Sequence, residues 1–199
     1  MKSDLRKRLH TLRNAMSPEE HRRASAHITA ELLGLDRYRS AQTVMAYSTF
    51  GSEFSTSGFV EHALRHTKRL VLPRIDRQAD RLELHHVQDV ETELVPGLWG
   101  IREPNSAVCP SVDVTAIDFV LVPGLGFSTR GDRLGYGRGY YDRLLKRRNP
   151  KTYLVAAAFT FQVLATLPVD EHDIPIDLIV TEAGVYEGPA QRPIQDPPK

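Results

Sequence analysis

The chain has 199 residues, 41% of them hydrophobic and 26% charged, a size and balance that suit one compact domain with a sizeable core. Its 26 Lys and Arg are offset by 25 Asp and Glu, and a formal net charge of +1 excludes recognition of a polyanion by global charge. Cys109 is the only cysteine, which excludes an intramolecular disulfide and fits a reducing, cytoplasmic setting; no apolar run approaches the roughly 18 residues of a membrane span, and the N-terminus lacks the apolar stretch of a secretion signal.

Leu5, Leu9, Leu12 and Met16 recur at helical spacing, predicting a first helix whose other positions include Lys2, Arg6, Lys7 and Arg13. Ser17-Pro18-Glu19-Glu20 reads as a capping box that opens a second helix, with Gly34 as its C-terminal stop. Short apolar runs at 44–47, 70–72, 119–122, 153–156 and 178–180 read as strands buried on both faces. Helical stretches near 58–66 and 140–148 lie between some of them, and residues 81–87 read as an outlying strand. The alternation predicts a single-domain α/β fold, a largely parallel sheet flanked by helices in three Rossmann-like layers. That domain is expected to span 1–186. Residues 187–199, with prolines at 189, 193, 197 and 198, read as a disordered tail. His85 and His86 are neighbours on a strand, so they point to opposite faces and do not share a metal.

The informative segment runs from Asp118 to Asp142, a buried strand followed by a loop and a helix. Six glycines fall between 124 and 139, three of them at alternate positions, Gly135, Gly137 and Gly139. Glycine lets a ligand approach backbone N–H groups closely, and Arg130, Arg133 and Arg138 add guanidinium groups. The spacing is neither a Walker A loop nor a Rossmann fingerprint, so the residues by themselves imply a phosphate or nucleotide site and no more. The opposing reading gives these glycines to turns and these arginines to solvent.

The string VPGLGFSTRGDRLGYGRGYYD closely resembles the signature of the 5-formyltetrahydrofolate cyclo-ligases, also called methenyltetrahydrofolate synthetases. Further landmarks agree in order: Lys2 and Arg6 on the first helix, Glu53 after the first strand, the GLWGIREP segment from Gly97 to Pro104, and the acidic stretch from Asp170 to Asp177 before the last strand. Two positions depart from the pattern. Ser128 stands where the family usually has Asp, and Ser55 where an acid commonly follows Glu53, so two negative charges near the expected site are lost.

The resemblance implies ATP-dependent closure of 5-formyltetrahydrofolate to 5,10-methenyltetrahydrofolate, with release of ADP and phosphate. It implies that ATP is held by Lys2, Arg6, Arg133, Leu134, Gly135, Tyr136, Gly137, Arg138, Gly139, Tyr140 and Tyr141, with Arg138 and Tyr140 catalytic. Glu53 and Trp99, together with Tyr136, Gly137, Arg138, Gly139 and Tyr140, would bind the folate, and Asp142 and Asp173 would hold Mg²⁺. Trp99 is equally readable as a core residue, and Tyr47, Phe50 and Tyr153 are assigned to packing. A monomer acting on small molecules, without a nucleic-acid or membrane partner, is expected. Two rival readings are a nucleic-acid module built on the basic stretches 2–23 and 130–148, and a catalytically silent folate or nucleotide binder of the same fold.

Overall fold

The computed structural model describes residues 2–168, 170 and 173–189. Helix α1 (Lys2–Asn14) leads into α2 (Pro18–Gly34) and α3 (Asp36–Ser40), followed by β1 (Thr43–Met45), α4 (Ser57–Arg65), β2 (Arg69–Asp76) and β3 (Arg81–Val87). Next come β4 (Leu94–Pro96), β5 (Arg102–Pro104), β6 (Phe119–Leu121), β7 (Gly126–Ser128), β8 (Arg133–Leu134) and α5 (Tyr140–Leu145). The chain continues through β9 (Tyr153–Ala157), β10 (Val163–Leu164), β11 (Leu178–Thr181) and β12 (Gly184–Glu187). Among the described residues, no helix is long and apolar enough to cross a membrane.

The main sheet has seven strands in the order β12-β11-β9-β6-β1-β2-β3, with its five inner strands parallel and each edge strand antiparallel to its neighbour. The α/β expectation therefore holds. Successive strand residues point to opposite faces, and both faces are covered, which is why the five runs are continuously apolar. Val44, Phe119, Leu121, Val155 and Val180 pack with Ile28, Leu32, Phe59 and Ala63 from α2 and α4. On the other face Met45, Val120, Leu154, Ala156 and Ile179 pack with Phe127, Leu144, Leu145 and Ile176.

Local chemistry sets the boundaries. Ser17 accepts the Glu20 N–H at 3.2 Å while Glu20 accepts the Ser17 N–H at 2.8 Å, so the capping box forms as expected. Gly34 does not act as a left-handed stop, because it remains helical and extended Leu35 ends the helix. The α1 stripe is only partly used: Leu9 is buried against Leu134 and Leu167, Leu12 is 41% exposed, and Met16 lies beyond the helix end. Helix α5 stops at Leu145, three residues short of expectation, as its last turn tightens ahead of Asn149-Pro150. Strand β12 was not anticipated and carries regular structure to Glu187, one residue past the expected boundary; of the expected tail, residues 190–199 lie outside the described residues.

Chain order along the sheet reverses between β1 and β6: β1, β2 and β3 proceed one way, and β6, β9, β11 and β12 the other. In an open α/β sheet the loops leaving the carboxyl ends of two such strands diverge and leave a crevice, where ligands bind. The loop after β1 carries Glu53, and the loop after β6 leads to the glycine-rich segment.

Candidate active site

A cavity of about 650 Å³ opens at that crevice. Its wall brings together Lys2 and Arg6 from α1, Glu53 from the loop after β1, Trp99 from the turn between β4 and β5, every residue from Arg133 to Asp142, and Asp173. All the residues that the family resemblance assigns to the site therefore border one space. Arg130, although in the same motif, does not line it.

The segment expected to be one long loop is half hairpin. Strands β7 and β8 pair antiparallel, and β10 adds to β7 in a small separate sheet. Ser128 shapes the hairpin tip: its hydroxyl donates to the Asp132 carboxylate at 2.6 Å and accepts N–H bonds from Arg130 at 3.2 Å and Asp132 at 3.1 Å. This residue is fully buried and away from the cavity, and Ser55 pairs with Ser57 at 2.9 Å, also off the wall. Neither departure from the family pattern changes the charge lining the cavity.

The glycines accordingly divide. Gly124, Gly126 and Gly131 belong to the hairpin and its approach, whereas the loop of residues 135–139 faces the cavity. Gly137 has φ +97° and Gly139 φ +67°, left-handed conformations that side chains rarely adopt. The Arg6 guanidinium lies against Gly137, and its Nε donates to the Gly135 carbonyl at 2.8 Å. Tyr140 opens α5; its hydroxyl donates to Asp80 Oδ1 at 2.8 Å, at the tip of the β2–β3 hairpin. Arg143 also reaches Asp80, stacks over the Tyr140 ring, and donates to the Arg138 carbonyl at 2.9 Å. The Arg138 side chain itself is exposed at the cavity wall.

The charged side chains are arranged in pairs. Arg133, with a 5% exposed side chain, donates to Asp142 Oδ1 at 2.5 Å, so this cation is largely committed to holding the first turn of α5. Lys2 Nζ donates to Asp170 at 2.6 Å and to Asp173 at 3.3 Å. Burial would lower the Lys2 pKa, but these bonds and charges outweigh it and leave it raised. Among the described residues no group of three or more His, Cys, Asp or Glu side chains is placed to hold a metal. From the described residues a hard cation could draw one or two carboxylates, a supply that fits Mg²⁺ completed by phosphate oxygens and water.

Glu53 is 6% exposed; its Oε2 accepts the Phe50 N–H at 3.0 Å and its Oε1 accepts the Tyr136 hydroxyl. Burial pushes its carboxyl up, opposed by those two hydrogen bonds and by the Arg13 charge. Burial likewise drives the Tyr136 and Tyr141 phenols well above their ordinary value.

Trp99, weighed in the sequence between the folate and the core, is 56% exposed and left-handed at φ +57°, which removes the core alternative. Other wall residues escaped the sequence reading. Tyr47 and Phe50, assigned to packing, both line the cavity; Tyr47 is buried in the core as expected, whereas Phe50 is 40% exposed. Glu103 is a second buried acid on the wall, its carboxyl raised by burial despite N–H bonds from Ile75 and Leu98. Glu103 belongs to the GLWGIREP segment, yet no local pattern in that segment shows that its carboxyl turns inward.

Residues 1–182 match the sequence model described as the 5-formyltetrahydrofolate cyclo-ligase family. The chain is 30% identical over 190 residues to the 5-formyltetrahydrofolate cyclo-ligase of Mus musculus, covering 92% of each chain. It is also 30% identical over 176 residues to that of Escherichia coli strain K12, covering 88% of this chain and 97% of the relative. Among solved structures, the 5,10-methenyltetrahydrofolate synthetase of Aquifex aeolicus superposes with a TM-score of 0.84 at 36% identity, over 98% of this chain and 96% of that one. With the glycine-rich motif, the cavity at the switch point and near-full-length similarity in agreement, the chain belongs to the 5-formyltetrahydrofolate cyclo-ligase family of enzymes.

Proposed function

We propose that this enzyme uses ATP to close the ring of 5-formyltetrahydrofolate, forming 5,10-methenyltetrahydrofolate, ADP and phosphate. The observation that carries this reading is the convergence of Lys2, Arg6, Glu53, Trp99, Arg138 and Asp173, drawn from widely separated chain segments, on one cavity.

An amide-like formyl oxygen is a poor leaving group. Transfer of the γ-phosphoryl from ATP to that oxygen releases ADP and makes the oxygen part of a good leaving group. N10 then attacks the former formyl carbon and loses its proton, and the C–O bond breaks as phosphate departs. Positioning and charge neutralisation dominate such a reaction. Lys2, Arg6 and the loop of residues 135–139 suit the polyphosphate, with Arg138 stabilising the transferring group and Tyr140 setting its loop. Glu53 accepts N–H donors of the pterin, and Phe50 and Trp99 offer it flat apolar surfaces. Asp142 and Asp173 are the carboxylates that would hold Mg²⁺, which when bound neutralises phosphate charge. A cytoplasmic location accords with the single buried cysteine, Cys109.

Purified protein given ATP, magnesium and 5-formyltetrahydrofolate should develop the methenyl chromophore with one ADP released per ring closed. Binding of both ligands without either product would identify a silent binder instead.

A further inference from the structure

Among the described residues two arginines are buried, Arg13 at 3% and Arg133 at 9% exposure, and they are neutralised differently. Arg133 has the Asp142 carboxylate in contact. Arg13, in the last turn of α1, touches neutral oxygens: Nε donates to Ser52 Oγ at 3.1 Å, and Nη2 donates to Tyr136 Oη at 3.0 Å. A guanidinium withdrawn from water needs a compensating negative charge. In this hydrogen-bonded chain the carboxylate is Glu53, one phenol away.

The direction of the chain follows from the chemistry of its members. Arginine only donates, so it occupies a lone pair of the Tyr136 oxygen, and the one phenolic hydrogen is left for Glu53 Oε1. Glu53 Oε2 is already met by the Phe50 N–H. Both carboxylate oxygens therefore face donors, an arrangement that favours the ionised form.

We propose that Arg13, which does not line the cavity, is a positioning residue that orients the Tyr136 hydroxyl toward Glu53 and thereby keeps the Glu53 carboxylate ionised and aligned for the pterin. The inference rests on the folate reading of the site given above. It assigns a function to a buried cation that phosphate binding does not use. Tyr136 as a whole is 46% exposed and lines the cavity while its hydroxyl lies between Arg13 and Glu53, so the same residue meets the cavity and relays the charge behind it.

The other titratable groups around Glu53 come from three elements. His21 of α2 donates from Nε2 to the Glu53 carbonyl at 2.7 Å, fixing its backbone. The phenols of Tyr47, after β1, and Tyr141, in α5, are pushed up by their own burial and by the Glu53 charge, so they stay neutral around it. Arg13 is thus the cation among these groups that opposes the rise which burial imposes on Glu53.

The test compares the parent with Arg13→Met, Arg13→Lys, Tyr136→Phe and the Arg13→Met/Tyr136→Phe double variant, after thermal melts confirm folding. Two quantities are followed from acid to mildly alkaline pH: the titration of the Glu53 carboxyl by ¹³C NMR in free protein, and calorimetric affinity for 5-formyltetrahydrofolate and for ATP. Arg13→Met should raise the Glu53 midpoint by about one pH unit or more. Folate affinity should fall about tenfold at acid pH and return to the parental value once Glu53 ionises, with ATP affinity unchanged. Lysine should restore most of the loss, and Arg13→Met should add little to Tyr136→Phe.

An unmoved Glu53 midpoint, or a folate loss equal at every pH, would overturn the proposal and leave Arg13 a packing residue. If the methionine variant does not fold, Tyr136→Phe must still raise the Glu53 midpoint, and failure to do so has the same force. If the parent itself binds no 5-formyltetrahydrofolate, the functional reading fails, while the carboxyl titration still decides whether Arg13 governs Glu53.

Discussion

The Arg6 guanidinium donates from Nε to the Gly135 carbonyl at 2.8 Å, joining residues 129 apart in the chain. The bond sets the first helix against the glycine loop, with Leu9 beneath it packed on Leu134. Arg6→Ala should therefore weaken ATP binding and loosen the loop together. Losing a hydrogen bond to a charged group costs about 1.5–3 kcal/mol, or roughly ten- to a hundredfold in kcat/KM for ATP. Steady-state kinetics with varied ATP would show it, and a variant with parental kcat/KM would remove Arg6 from the site.

Arg138→Ala should reduce turnover by about 10²- to 10³-fold, the usual cost of removing one donor to developing charge. Stability should hardly change, because the fold engages the backbone here: Arg143 donates to the Arg138 carbonyl at 2.9 Å. Single-turnover rates combined with melting temperature separate the two effects. A large fall in melting temperature would mean that the lost turnover reflects structure instead.

Burial raises the Glu53 carboxyl, so the native state binds its proton more tightly than the unfolded chain does. This group's contribution to stability is present at and below the ordinary carboxylate pKa and is lost as pH rises through the raised native value. Folate binding should run the opposite way if, as proposed, the pterin is held by the carboxylate, and KM for folate should then rise on acidification at a pH above the ordinary glutamate range. Glu53→Gln should abolish that acid limb and weaken folate binding far more than ATP binding. Equal losses for both ligands would refute the assignment.

Substituting Asn for either Asp142 or Asp173 should raise the Mg²⁺ concentration needed for half-maximal rate. Their stability effects should differ. Asp142 neutralises a nearly buried Arg133, and breaking such a pair costs up to about 3–5 kcal/mol. Asp173 shares Lys2 with the exposed Asp170, so its loss should cost no more than about 1 kcal/mol. Magnesium titrations of initial rate at fixed ATP and folate make the comparison, and three superimposable curves would show that neither acid serves the metal.

Most of the framework was legible in the chain because it depends on local chemistry. Continuous apolar runs report strands buried on both faces, Ser17 and Glu20 report a helix start, and the Arg133–Asp142 string carries both loop and charge within ten residues. The short strands β7, β8 and β10 and the edge strand β12 were not legible, since two to four residues leave no measurable period and their pairing partners are distant.

For the site, the sequence by itself pointed to the glycines and arginines of residues 133–139 as a phosphate-binding loop, because residue type and spacing carry that chemistry, while Lys2, Arg6, Glu53, Asp142 and Asp173 entered through the family resemblance. Tertiary structure alone decided how each is used. It paired Arg133 with Asp142 and Lys2 with Asp170 and Asp173, turned Phe50, Trp99 and Glu103 toward the cavity, and set Arg13 behind Tyr136 to face Glu53. Those relationships join segments that meet only where the loops leaving β1 and β6 diverge, and no spacing along the chain encodes the distance across that gap.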